Sequence, residues 1–362
     1  MTGVESPADG KSSDRSNDVA DREPVVDGTS GESAGPGGSA DGFAAMLGRV
    51  AGQALAISRS RWFRLAFGGL LVALAIWAVA SEWSEVRAAV RQLDPRWVVL
   101  AVLATIINVG LAGMVWRTVL ADLGSKLRLS VAARIFFVGQ LGKYLPGSVW
   151  PVVMQTELGR DHHVPWRRTA TATMVSILLS VTSALFVVVL ALPLAPKALP
   201  SGFGWAVLLV VPLAVLLHPS VLGWAVDRAL RLAGRGRLDQ RTTLRGTLVA
   251  TLWAIGSWAG AGLQVWALAV PLGAPANLRT VVLLIGGYGL AWALGFLVIV
   301  APAGAGAREV ALAAVLAPVL DRSGAVVVVV LLSRVLFTLV DLGAAGIGLL
   351  VGHAHRVPRA LT

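Results

Sequence analysis

Four charged residues stand where the flanking sequence is apolar enough for a bilayer. Arg334 and Asp341 interrupt AVVVVVLLSRVLFTLVDLGAAGIGLLV (325–351), and Arg308 and Glu309 follow the Pro302, Gly304 and Gly306 breaks in VAPAGAGAREVALAAVLAPVL (300–320). An ionised group in hydrocarbon costs a few kcal/mol or more, so such residues face the bundle interior and pair. Arg334 and Asp341 are seven positions apart, on one helical face but about 10 Å apart along the axis, so neither neutralises the other. Glu309 is the expected partner of Arg334, with a lipid phosphate as the other candidate. The competing view is that Arg334 only pins helices together. The helix starting near Arg308 presents unpaired N–H groups and a positive dipole end, chemistry suited to phosphate or carboxylate.

A second broken stretch is VAARIFFVGQLGKYLPGSVWPVVMQTELGR (131–160), with Gly139, Gly142, Pro146, Gly147 and Pro151 interrupting an otherwise apolar helix. Broken backbone at membrane depth is tolerated only where protein covers it or a wet cavity receives it. Two half-helices meeting at Pro146 and Gly147 satisfy that condition. Lys143 and Tyr144 sit beside this break, and Glu157 and Arg160, spaced i,i+3, share a face expected near its mouth. Ordinary turns are the competing explanation for both stretches. Paired discontinuous helices are nevertheless the pattern that marks transporter binding sites. The candidate set for a lipid-phosphate cavity is therefore Arg308, Arg334, Glu309, Tyr144, Lys143, Glu157, Arg160 and Asp341.

The elements that must position these groups are membrane spans. Hydrophobic residues make up 56% of the chain and charged residues 14%, against roughly 25% charged in soluble domains. Apolar runs fall near 65–83, 97–116, 169–194, 203–218, 246–270, 280–300 and 324–351. The expected architecture is an all-α, polytopic transmembrane helical bundle of about seven spans, with an eighth if 310–320 crosses rather than re-enters, plus the two broken or re-entrant segments. Glycines at Gly256-x-x-x-Gly260 and around Tyr288 read as close helix packing.

Charge divides the chain. Residues 1–41 carry nine acidic residues against Lys11, Arg15 and Arg22, and almost no large apolar side chains. This tail is expected to be disordered. Residues 42–61 read as a linker or interfacial helix, 62–352 as the transmembrane domain and 353–362 as a short basic tail. A basic amphipathic stretch at 221–237 is expected along the membrane surface. Basic residues crowd the connections before 65, between 117 and 168 and between 228 and 245. Those connections, and the N-terminus, are expected in the cytoplasm of a bacterial plasma membrane.

Several classes are excluded or disfavoured. The chain has no cysteine, so no disulfide, thiolate metal site or Cys nucleophile exists. The pairs His162-His163 and His353-x-His355 lack zinc spacing and read as surface. The basic residues lie between apolar runs rather than on a soluble domain, which argues for anionic lipid headgroups and against nucleic acid. No nucleotide-binding loop is present, and no cofactor or metal is called for.

At the broken segments the chain resembles a known family. GKYLPGSVWPVVMQTELGR (142–160), APAGAGAREV (301–310) and Arg334 look like the lysylphosphatidylglycerol synthase transmembrane region, also called the flippase-like UPF0104 family. The resemblance implies a bundle with re-entrant helices, associated in full synthases with moving an aminoacylated phospholipid between leaflets. In those synthases a soluble C-terminal domain transfers the aminoacyl group, and the chain ends too soon after its last span to hold one. The expectation is therefore a protein that binds or translocates a phospholipid or polyprenyl-phosphate-linked lipid, and not an aminoacyl transferase. The alternatives are an accessory subunit for a separate soluble transferase, or an intramembrane transferase, for which only Glu157, Glu309 and Asp341 could serve as base or metal ligands. The oligomeric state is left open.

Overall fold

The computed structural model describes residues 83–144, 149–194, 208, 210–232, 242–298 and 304–354, all helical or in short connections, with no strand among them. The acidic tail, the linker, the span expected at 65–83, the breaks at Pro146, Gly147 and Pro302, and the end of the basic tail lie outside the described residues.

The described helices are α1 (Trp83–Gln92), α2 (Pro95–Asp122), α3 (Leu129–Gln140, continued by a 3₁₀ turn at Leu141–Tyr144), α4 (Trp150–Arg160), α5 (Trp166–Ala191), α6 (Val210–Leu216), α7 (Pro219–Leu232), α8 (Leu244–Ala269), α9 (Leu278–Leu297), α10 (Ala307–Leu316) and α11 (Ser323–Ala354). Five stretches are long and apolar enough to cross a membrane: Pro95–Asp122, Trp166–Ala191, Leu244–Leu272, Leu278–Leu297 and Ser323–Leu350. These match five of the expected runs. Between the first two expected runs the chain is also helical, over Trp83–Gln92. Of the expected 203–218 run, the described α-helix is the seven-residue α6, which ends before His218 and Pro219. Helix α10 has ten residues, about 15 Å, half of the hydrocarbon core.

Local chemistry sets the helix starts. Asp94 accepts the Arg96 N–H at 2.9 Å ahead of α2, Thr243 Oγ1 accepts the Gly246 N–H at 3.0 Å in α8, and Asn277 Oδ1 accepts the Thr280 N–H at 2.9 Å in α9. On α2 the exposed Val99, Leu103, Ile106 and Ile107 share a flank, while Ala101, Ala104, Asn108 and Val115 are buried. Such an outward apolar face is a liability in water but the natural surface of a helix solvated by lipid.

Small residues and buried polar groups hold the bundle together, as expected where lipid removes the hydrophobic drive between helices. Helices α2 and α8 run antiparallel. Asp122 accepts the Thr243 N–H at 2.6 Å at one end, Asn108 Nδ2 donates to the Ser257 carbonyl at 2.7 Å in the middle, and the Trp97 and Trp266 rings meet edge-on at 5.3 Å at the other end. Gly260 lies in the same seam, its Cβ position 3.0 Å from the Ala104 carbonyl oxygen. Gly286 and Gly289 let α9 run antiparallel along α5, against Ala191 and Ala184. Gly348 brings α11 against Arg134 of α3. These pairings place the ends of α2 and α4, and the starts of α3, α5 and α8, on one side of the bundle. The starts of α9 and α11 and the end of α10 lie on the other.

Two buried apolar clusters result. One centres on Trp116, Ile135 and Phe136, and the other on Trp258, Tyr288, Leu312 and Phe337.

Candidate functional site

Where the two clusters meet, packing leaves a cavity of about 220 Å³, lined by Trp116 and Phe136 from one side and Trp292 and Phe337 from the other. A second lobe of about 130 Å³ shares Gln140, Lys143, Ser180, Arg308 and Asp341 with it and reaches Tyr288 and Asn108. Lys143, Tyr144, Arg308, Arg334 and Asp341 all line the larger lobe. Five of the eight candidate residues, drawn from segments up to about 200 positions apart, therefore face one space.

The first broken segment reaches this space because glycine lets α3 and α4 close on each other. A Cβ at Gly142 would stand 2.8 Å from the Pro151 nitrogen and the Trp150 carbonyl carbon, and one at Gly139 would clash with Gln155. The buried Gln155 is then held from outside: Thr173 Oγ1 donates to Gln155 Oε1 at 2.6 Å and accepts Trp116 Nε1–H at 3.1 Å. That chain links α4, α5 and α2 and fixes the hairpin against the cavity wall. At its end Lys143 Nζ meets Asp341 Oδ2 at 2.6 Å, and the Tyr144 hydroxyl donates to the same oxygen at 2.6 Å. Asp341 is only 5% exposed, so two donors on one carboxylate oxygen are what make its burial tolerable.

The second broken segment approaches along α9. Gly304, with φ of +68°, sits back to back with Gly295, whose carbonyl carbon would be 2.8 Å from a Cβ at residue 304. A side chain is thus excluded both by conformation and by space. Gly306, at φ 89°, precedes α10, and its N–H donates to Glu309 Oε2 at 2.6 Å. The other carboxylate oxygen of Glu309 faces Arg334 Nη1 at 3.3 Å, the pairing expected from sequence. Arg308 points into the cavity beside a pair of rings, its guanidinium carbon 4.8 Å from the centroid of Tyr288 and 5.0 Å from that of Phe337. It also donates to the Tyr288 hydroxyl, and the Tyr288 and Phe337 rings stack at 5.5 Å. Among the described residues no carboxylate lies within ion-pair distance of Arg308.

Glu157 and Arg160 are placed differently. They pair with each other at 3.2 Å and are about two-thirds exposed on α4, away from the cavity lining. Tyr288, Phe337, Gln140, Ser176 and Ser180 line the cavity without having been singled out as site residues. The Ser176 hydroxyl is buried with no hydrogen-bond partner. The available signal for Tyr288 was its rarity, since it is one of two tyrosines in the chain. His162, read as surface, is half-buried in the α4–α5 connection with its Nε2 lacking a partner. Burial first, and Arg134 second, lower its pKa below the ordinary 6.5. Among the described residues no cluster of three or more His, Asp or Glu side chains is arranged for a metal ion.

A cavity with three cations, one buried carboxylate and aromatic walls, inside a bundle with lipid-facing flanks, is equipped to hold an anionic group that carries apolar chains. A search of curated proteins and of solved structures returns no match to the chain. The family model described as the lysylphosphatidylglycerol synthase TM region matches residues 61–343, a stretch that contains every residue of the cavity. The chain belongs to the lysylphosphatidylglycerol synthase TM-region family.

Proposed function

We propose that this protein binds the phosphate of an anionic lipid in the cavity and moves that headgroup between leaflets. The observation that carries the reading is Arg308, a guanidinium held in the cavity by Tyr288 and Phe337 and left without a carboxylate among the described residues. A fixed, oriented guanidinium is suited to bidentate phosphate contact. Lys143 and Arg334 add charge around it, while Asp341 and Glu309 offset those two cations. A polar headgroup crossing about 30 Å of hydrocarbon needs internal partners of this kind. The ligand class is a phospholipid or a polyprenyl-phosphate-linked lipid, since both present a phosphate on apolar chains.

The sided distribution of charge supports an orientation. The face bearing Arg117, Lys126, Arg128, Arg160, Arg167, Arg168 and Arg245 is the cytoplasmic one in this reading, within a bacterial plasma membrane.

The test uses purified protein in liposomes carrying fluorescent phospholipids or polyprenyl-phosphate lipids, with headgroup accessibility as readout. Wild type is expected to exceed the protein-free rate for at least one lipid class, and Arg308→Ala to fall to that baseline. Protein-free rates for wild type with every lipid class would refute translocation, and wild-type rates in Arg308→Ala would remove Arg308 from the role.

A further inference from the structure

In this bundle Thr105, Thr182 and Thr251 satisfy their hydroxyls by donating to the carbonyl four positions back, at 2.7, 2.9 and 2.9 Å. The cavity wall departs from that pattern. Ser176 and Ser180 stand one turn apart on the face of α5 that lines it. Ser176 is 8% exposed and its hydroxyl has no partner. The Ser180 hydroxyl has none among the described residues either. From α3 the Gln140 side chain lines both lobes, its amide unbonded to any described residue. From α2, Asn108 Nδ2 donates to the Ser257 carbonyl and hydroxyl. That leaves Asn108 Oδ1 as an open acceptor on a residue that lines the smaller lobe and is 9% exposed.

Four uncharged polar side chains are thus gathered around the lobes, and Gln140 and Ser180 share both lobes with Arg308. A buried polar group left unpaired is costly, so this wall is matched to a ligand that brings hydroxyls of its own. Charge points the same way. Lys143 and Arg334 each face a carboxylate, while Arg308 has none within ion-pair distance among the described residues. One phosphate diester balances that single charge. A headgroup that also carried an ammonium would bring a further positive charge into a desolvated space. Asp341 Oδ2 already accepts from both Lys143 and Tyr144.

We infer that Gln140, Ser176, Ser180 and Asn108 form a headgroup subsite beside Arg308, selecting an uncharged, hydroxyl-bearing headgroup, a polyol or a sugar, over a cationic one. The inference rests on the lipid-phosphate reading above and narrows it. The aminoacylated lipid associated with full synthases carries an amine that this wall does not match.

The test is lipid binding to the purified full chain in detergent. Short-chain phosphatidylglycerol, phosphatidylmethanol and phosphatidylethanolamine share one phosphate and differ only beyond it. A hexosyl prenyl phosphate and the methyl ester of the same prenyl phosphate form a second pair, which separates a sugar from glycerol. In at least one pair, wild type is expected to bind the hydroxylated lipid about tenfold more tightly than its methyl ester. The ethanolamine lipid should bind no more tightly than phosphatidylmethanol. Gln140→Met, and Ser176→Ala combined with Ser180→Ala, should each bring the hydroxyl preference down toward one. Ser176→Ala alone should not lower the unfolding midpoint of the lipid-free protein, because its hydroxyl has no bond to lose. A lowered midpoint would assign that hydroxyl to the fold and remove it from the subsite. Equal affinities within both pairs, tighter binding of ethanolamine than of glycerol, or an unchanged preference in both variants overturns the inference. The phosphate reading then survives if the methyl esters bind wild type and fail to bind Arg308→Ala. If no phosphate lipid binds wild type, both fall.

Discussion

Arg334 and Asp341 stand on one face of one helix, two turns apart, yet they are neutralised by different segments, Arg334 by Glu309 at 3.3 Å and Asp341 by Lys143 at 2.6 Å. One helix thus gathers both broken segments around a shared cavity. Four further outcomes follow from that arrangement and from the packing that supports it.

Removing one member of the Asp341 pair should cost more than removing both. Asp341→Leu leaves Lys143 and the Tyr144 hydroxyl facing an apolar wall, whereas Lys143→Met with Asp341→Leu removes the charges together. The single change should destabilise by about 1–3 kcal/mol, below the range for fully buried pairs because Lys143 is a third exposed, and the double change by clearly less. Thermal unfolding in detergent measures the difference. Equal losses for single and double variants would argue against the pair as drawn.

Glycines in the helix seams should differ sharply in tolerance. A Cβ at Gly262 meets the backbone of Ile285 on α9, while one at Gly256 meets only the tip of Leu111, at 3.1 Å. Gly262→Ala is expected to cost about 1–3 kcal/mol and Gly256→Ala well under 1 kcal/mol, since backbone cannot yield as a leucine methyl can. Unfolding midpoints of the two variants give the comparison.

Arg308 should not be replaceable by lysine. An ammonium restores the charge but neither offers a planar group to the Tyr288 and Phe337 rings nor presents a fork to phosphate. In the liposome assay Arg308→Lys is expected to lose about tenfold in rate and Arg308→Ala more. Wild-type rates for the lysine variant would mean that charge alone suffices.

Acidification should weaken the fold through His162. Burial, then Arg134, hold its folded pKa below the unfolded 6.5. The unfolded chain therefore binds the proton more readily, and the stability associated with neutral His162 is complete above pH 6.5 and lost as pH falls through that value. Between about pH 7.5 and 5.5, above the carboxylate range, the unfolding midpoint should drop in wild type and drop less in His162→Gln. Identical profiles would place the sensitivity elsewhere.

How much of this was legible in the residues differs element by element. Run length marked five crossing helices, because the cost of charge in hydrocarbon is local and shows in any window of about 20 residues. The glycines at 142, 304 and 306 were readable as breaks for the same reason, since the backbone preference belongs to each residue alone. That Arg334 needed a partner was equally plain, and Glu309 was the near choice.

Which groups meet across the bundle was decided by packing. Asp341 and Tyr144 are 197 positions apart, and their contact depends on Gly348 admitting α3 against α11 and Gly142 admitting α3 against α4. Tyr288 read as a packing residue among glycines until α10 turned back along α9 and laid Arg308 on its ring. Glu157 and Arg160 had the right types and spacing, but the face of α4 that carries them points away from the cavity. The sequence by itself determined that charges lie within a membrane bundle and must be satisfied. Only the tertiary structure decided by whom, because the close approach of helices, and not any local preference, sets which side chains share a cavity.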